Sequence, residues 1–130
     1  MNSWTNKEYK IQLYTTSLLL MIASADDDIN LKEISVIKNV INDFFKISSD
    51  LSDNLIQNSY KVLEGLTDTY EIASFINDSL NNDQKMSLLT SMYKIAYSDN
   101  EFHYIERHFI YKIGNIFNFN KNKIIEAKKI

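Results

Sequence analysis

The chain contains no proline and only two glycines, where ordinary usage would place about six and nine in this length. Proline and glycine supply the special backbone angles of tight turns and strand ends. A sheet protein with many hairpins would need them, so their absence selects an all-α fold. Apolar residues recur at helical spacing almost throughout, and the pattern predicts about seven helices. These span about 4–24, 31–45, 52–65, 68–80, 83–97, 104–117 and 121 to the end. Thr5 with Glu8 forms a capping box before the first helix, and Asn30 caps the second. Thr67 precedes the fourth, Gly65 stands at the end of the third, and Gly114 allows close packing within the sixth. Every connection is short, which suits one domain over 1–130, a bundle of antiparallel neighbours.

Sliding the sequence by 73 positions sets Ile22 on Ile95, Ala23 on Ala96, Asp26 on Asp99, Glu33 on Glu106, Ile37 on Ile110, Asn42 on Asn115 and Phe44 on Phe117. Two amphipathic helices share the 3.6-residue period by chance, but polar loop residues have no such reason to keep register. The expectation is two pseudo-duplicated helical hairpins, about 10–47 and 83–120, bracketing the third and fourth helices. The repeat also disposes of a false leader. Lys7 and Lys10 before Leu18-Leu19-Leu20-Met21-Ile22 imitate a secretory signal. Glu8 interrupts the basic region, the apolar run is far short of a membrane span, and the same segment recurs inside the chain.

The net charge of −3, from 17 acidic and 14 basic residues, announces neither a nucleic-acid surface nor an acid-seeking one. With no cysteine, thiolate catalysis, cysteine-ligated zinc and disulfides are excluded. No nucleophile elbow or phosphate-cradling glycine loop is present, so no enzyme is expected. His103 lacks the Glu-x-x-His spacing of a di-iron helix, and it and His108 read as partly exposed helix residues. The aromatics of the second half, among them Tyr93, Tyr97, Phe109, Tyr111 and Phe117, read as core and groove lining. Lys121, Lys123, Lys128 and Lys129 make a mildly basic tail.

Chemistry concentrates in two acidic segments. Asp26-Asp27-Asp28 follows the first helix and Asp99-Asn100-Glu101 the fifth; Glu33 and Glu106 each come seven residues after the leading Asp. Capping explains part of this, since a glutamate at the third helical position reaches back to the cap. It does not explain carboxylates placed after a helix C-terminus, where the partial charge is already negative and each costs roughly 0.3–1 kcal/mol. A cation would relieve that strain, and oxygen donors select Ca²⁺, Mg²⁺ or Mn²⁺. The candidate ligands are Asp26, Asp28, Glu33, Asp99, Glu101 and Glu106. An EF-hand is excluded, because Leu31 and Ile37 stand where its glycine and bidentate glutamate belong. One segment offers too few oxygens, so a site needs water, backbone carbonyls or both segments.

Ala23, Asp26, Ile29 and Glu33, then Ala96, Asp99, Phe102 and Glu106, resemble the doubled hallmark of the tellurite-resistance TerB-like domains. The resemblance covers about residues 10–120. The family's usual turn glycine is replaced by Asp27 and Asn100, both tolerant of a left-handed backbone. The resemblance implies a non-enzymatic cytoplasmic protein of bacterial stress and tellurite resistance, with divalent metal bound through these acids and with a protein partner, membrane-bound complexes included. No nucleic acid and no transmembrane segment are expected. The alternative is an interaction module, co-chaperone-like or a membrane-complex adaptor, whose acids are only caps.

Overall fold

The structure, a computed structural model, describes residues 6–24, 31–65, 68–98 and 104–128. Among the described residues there are seven helices and no strand: α1 (Asn6–Ala23), α2 (Leu31–Phe45), α3 (Ser49–Glu64), α4 (Thr69–Ser79), α5 (Asn82–Ala96), α6 (Tyr104–Ile116) and α7 (Lys121–Lys128). The all-α class and helix count agree with the sequence pattern. Ends differ where side chains cap. Helix α3 starts three residues earlier than the apolar pattern indicates, because the Ser48 side chain accepts from the Leu51 amide. Asp68, not Thr67, caps α4, accepting from the Glu71 amide at 2.7 Å. Asn81 and Gln84 close a reciprocal capping box on α5. The boxes expected at Thr5 and Asn30 involve residues outside the described set.

Helix α1 is the axis. It packs against α2, α3, α4, α5 and α6, and Thr15 through Leu20, with Ile22 and Ala23, are buried. A helix enclosed by neighbours has no solvent face over its buried turns. Two of the buried polar residues of α1 bond locally, whereas Thr15 Oγ1 and Gln12 Oε1 have no hydrogen-bond partner among the described residues. The Thr16 and Ser17 hydroxyls donate to the Gln12 and Leu13 carbonyls, both at 2.8 Å. Around this axis α3 lies on α1 and α2, α4 on α1 and α6, and α7 on α5 and α6.

Helix ends keep the 73-residue register: α1 and α5 stop at Ala23 and Ala96, and α2 and α6 start at Leu31 and Tyr104. Both second helices also end in a left-handed residue, Lys46 (φ 55°) and Asn118 (φ 66°). The next amide reaches back into the helix, Ile47 N to Asn42 O at 3.3 Å and Phe119 N to Gly114 O at 3.0 Å. Glycine is the usual residue for such a turn; here it is absent from both. Gly65 does end α3, but with φ −80°, so its conformational freedom is unused.

Gly114 has a packing role, as its place in the sequence suggests. A Cβ there would lie 2.5 Å from Cγ1 and Cδ1 of Ile124, which is 1% exposed on α7. Replacing it with alanine gains about 1 kcal/mol of helix propensity but overpacks the α6–α7 contact by roughly 1–3 kcal/mol. Gly114→Ala should therefore lower stability in urea unfolding. Combined with Ile124→Ala it should cost less than the sum of the two single changes.

Candidate functional site

Of the six acids singled out by the sequence, Glu33 and Glu106 are described. Each is the third residue of its helix, and each is 2% exposed. A helix-start glutamate that merely caps needs no such burial, and taking a carboxylate out of water costs several kcal/mol unless partners compensate. Both side chains have interaction partners. Asp26, Asp28, Asp99 and Glu101 lie outside the described residues, as do Asp27, Asn100 and His103. Among the described residues no three acids or histidines gather in a way that could hold a metal ion.

The helix starts that carry the two glutamates lie towards one end of α5. Val36 on α2 and Ser98 at the end of α5 line one cavity of about 360 Å³, while Phe44 and Asp83, from the other ends of the same helices, line a second. Helices α2 and α5 are therefore antiparallel, and the first turns of α2 lie beside the last turn of α5. On another side Tyr93 of α5 shares a cavity with Arg107, in the first turns of α6. The segments 25–30 and 99–103 join the bundle through these same helix starts. Both helix starts, each with a buried glutamate at its third position, therefore lie towards this end of α5.

Beside this end, Tyr93 is 5% exposed and its hydroxyl donates to the Ile124 carbonyl at 3.1 Å. Burial, reinforced by Tyr111 and Tyr97 and opposed by Arg107, pushes its phenol up to about 12. The phenolate is the charged form, so the folded state holds a proton that the unfolded chain releases near pH 10. Stability from this group is complete below pH 10 and falls as pH rises towards 12, by at most about 2–3 kcal/mol. The stability gap between the wild type and Tyr93→Phe should narrow by that amount between pH 9 and pH 12 in denaturant unfolding. An unchanged gap would remove Tyr93 as the cause.

Three features escaped the sequence. Gln12 and Lys85, again 73 apart, are both buried, 7% and 8% exposed. The Lys85 ammonium donates to Asn77 Oδ1 at 2.8 Å, and its charge lies 6.0 Å from the Phe117 ring centre. The shared register was the available signal, but polar residues near a helix start ordinarily face water. The third feature is an open groove between α2 and α5, whose α5 wall of serines reads in sequence as plain surface. Of the aromatics, Tyr93 and Phe117 are core as expected, whereas Tyr97 is exposed. His108 is exposed on α6, in keeping with the sequence reading. Among the described residues, no helix is long and apolar enough to cross a membrane.

A seven-helix bundle around a buried first helix, with a glutamate buried at the third position of α2 and of α6, defines an all-helical protein with acidic helix-start segments. Residues 12–129 match the family model for Tellurite resistance protein TerB, and the chain belongs to that family. A crystal structure of a protein of unknown function from Porphyromonas gingivalis W83 shares the fold. Its TM-score is 0.67 over 100% of both chains, at 16% sequence identity. No curated protein sequence matches the chain significantly.

Proposed function

We propose that this tellurite-resistance-type protein is a binding protein, not an enzyme, that takes a hard divalent cation at the end of the bundle flanked by α2, α5 and α6. The observation that carries this reading is the burial of Glu33 and Glu106 at equal register beside the end of one helix. Two carboxylates withdrawn from water concentrate oxygen donors in a low-dielectric setting, and a cation there adds to the compensation that their present partners supply. The donor set fits: the six candidate ligands, Asp26, Asp28, Glu33, Asp99, Glu101 and Glu106, offer oxygen alone, which suits Ca²⁺, Mg²⁺ or Mn²⁺ and disfavours thiophilic metals. When bound, the cation supplies charge neutralisation and a bridge between hairpins; the chain's own glutamates fix where it sits. The protein then works in the cytoplasm as a metal-responsive component of stress and tellurite resistance, through a protein partner that includes membrane-bound complexes.

The third-position register of both glutamates also favours a second reading, in which they only complete helix caps and function lies in protein interaction. Isothermal calorimetry of the full chain with Ca²⁺, Mg²⁺ and Mn²⁺ separates the two. The metal reading expects a saturable heat for at least one ion below millimolar concentration. Absence of heat with all three at millimolar concentration sinks it and leaves the capping reading.

A further inference from the structure

The fold fills one groove with a helix of its own and leaves the groove at equal register open. Helix α4 lies along α1. The Lys10 ammonium sits 4.5 Å from the centre of the Phe75 ring, the Tyr14 and Phe75 rings are 5.4 Å apart, and the Thr69 hydroxyl donates to Met21 Sδ at 3.7 Å. On its other side α4 faces α6, where Ile116 lines a cavity shared with Tyr70 and Ser74. Helix α4 runs antiparallel to α1 and buries Ile72, Ala73 and Ile76.

Moving by 73 from Lys10, Tyr14 and Met21 gives Asp83, Ser87 and Lys94 on α5, and moving back by 73 from Ile116 gives Asp43 on α2. These four residues line a cavity of about 380 Å³ between α2 and α5. It continues past Val40, Asp43 and Lys94 into the cavity of about 360 Å³ that ends at Val36 and Ser98. The groove has an apolar wall on α2, made by Val36, Val40 and Phe44. Its opposite wall is small and polar: Ser91 stands where α1 has the fully buried Leu18. A permanent berth is lined by apolar side chains, whereas serines tolerate water when the groove is empty and close approach when it is filled. Asp43, Asp83 and Lys94 are exposed, and among the described residues none of the three is in an ion pair.

We propose that the α2–α5 groove docks an amphipathic helix of a protein partner in the way that the α1–α6 groove holds α4. The direction follows from α4, whose start lies at Met21 and whose later turns lie at Tyr14 and Lys10. The docked helix therefore begins at Lys94 and ends towards Asp83, with Asp43 part-way along the α2 wall beside Lys94. An acidic first turn pairs with Lys94, an apolar stripe covers Val36, Val40 and Phe44, a basic residue in the middle turns meets Asp43, and a basic last turn pairs with Asp83. That charge order also stabilises the docking helix itself, through its dipole, and α4 carries the acidic first turn in Glu71. The open length, fifteen residue steps from Asp83 on α5 to Ser98 just past its end, corresponds to about 22 Å of helix at 1.5 Å per residue.

A display library of 15-residue peptides, selected on the full chain, tests this. The enriched sequences should carry apolar residues at helical i, i+3 or i+4, i+7 spacing, Asp or Glu in the first turn and Lys or Arg in the last. They should bind at least about tenfold more weakly to Ser87→Trp, where an indole fills the groove from an exposed position. A chain carrying Asp43→Lys, Asp83→Lys and Lys94→Glu should prefer the charge-exchanged peptide by about tenfold, with circular dichroism checking that both variants are folded. The proposal is overturned if no peptide is enriched, if Ser87→Trp leaves binding unchanged, or if charge reversal has no effect. Self-association of the chain that Ser87→Trp abolishes would assign the groove to a second copy and overturn it equally.

Discussion

Phe117→Ala should lower the free energy of unfolding by about 3–5 kcal/mol, the range for emptying a fully buried aromatic site. The residue is 1% exposed, and its ring meets Phe119 edge-on with centroids 6.4 Å apart. The charge of buried Lys85 lies over the same ring, so truncation removes both packing and a favourable charge–ring contact. Against a total stability of about 5–15 kcal/mol for a domain, this is a large fraction, and the melting temperature should fall by more than about 10 °C. The matched control is Phe44→Ala, at the same register of the first half. Phe44 is half-buried at the edge of the α2–α5 groove, so its loss should cost less than half as much. Urea unfolding of the two variants gives the comparison. Equal losses would mean that the register, and not the local packing, sets the energetics of the two halves.

That pair also shows how far the sequence could be read. Phe44 and Phe117 align at the 73-residue offset, and so do the ends of their hairpins, because helix boundaries are written locally in caps and in the change from apolar periodicity to polar loop. Whether a residue is then sealed depends on which later helix arrives. Helix α4 covers the α1–α6 groove and none of the described helices covers α2–α5, and no local pattern encodes that difference. Helix α1 is a second instance. Thr16 and Ser17 near its middle look like the edge of an amphipathic helix, yet they are buried and donate to their own backbone. The register of the candidate site was legible in the sequence: Glu33 and Glu106 repeat at the third helical position. Their burial was not, since it depends on which distant elements pack over the two helix starts.

The scarcity of glycine takes on a narrower meaning in the structure. Left-handed positions close α2 and α6 without glycine, at Lys46 and Asn118, each at a cost of roughly 1–2 kcal/mol. Gly114 is kept where a side chain would meet Ile124. Glycine is thus retained for a close approach between helices and given up where only a turn is at stake. The buried first helix, with its many neighbours, provides the stability against which such turn costs are small.

Replacing both buried glutamates, Glu33→Gln with Glu106→Gln, should abolish the response of the protein to metal. The substitution preserves shape, and glutamine at the third helical position still completes a cap. It removes the carboxylate from two side chains that are each 2% exposed. A ligand present at one hundred times its dissociation constant adds about 2.7 kcal/mol to the stability of the state that binds it. For a domain of this size that corresponds to a rise of about 10 °C in melting temperature. Thermal unfolding at millimolar Ca²⁺, Mg²⁺ and Mn²⁺ should show such a rise for the wild type and less than about 2 °C for the double variant. If the glutamates are caps alone, neither protein responds to metal and the two melt together. A double variant that keeps the wild-type rise would place any cation elsewhere. Single variants divide the remaining possibilities: a site built from both hairpins loses most of its response when either Glu33 or Glu106 is changed. Two separate half-sites would each retain about half of the heat of binding, because the ligands of one hairpin would not depend on those of the other.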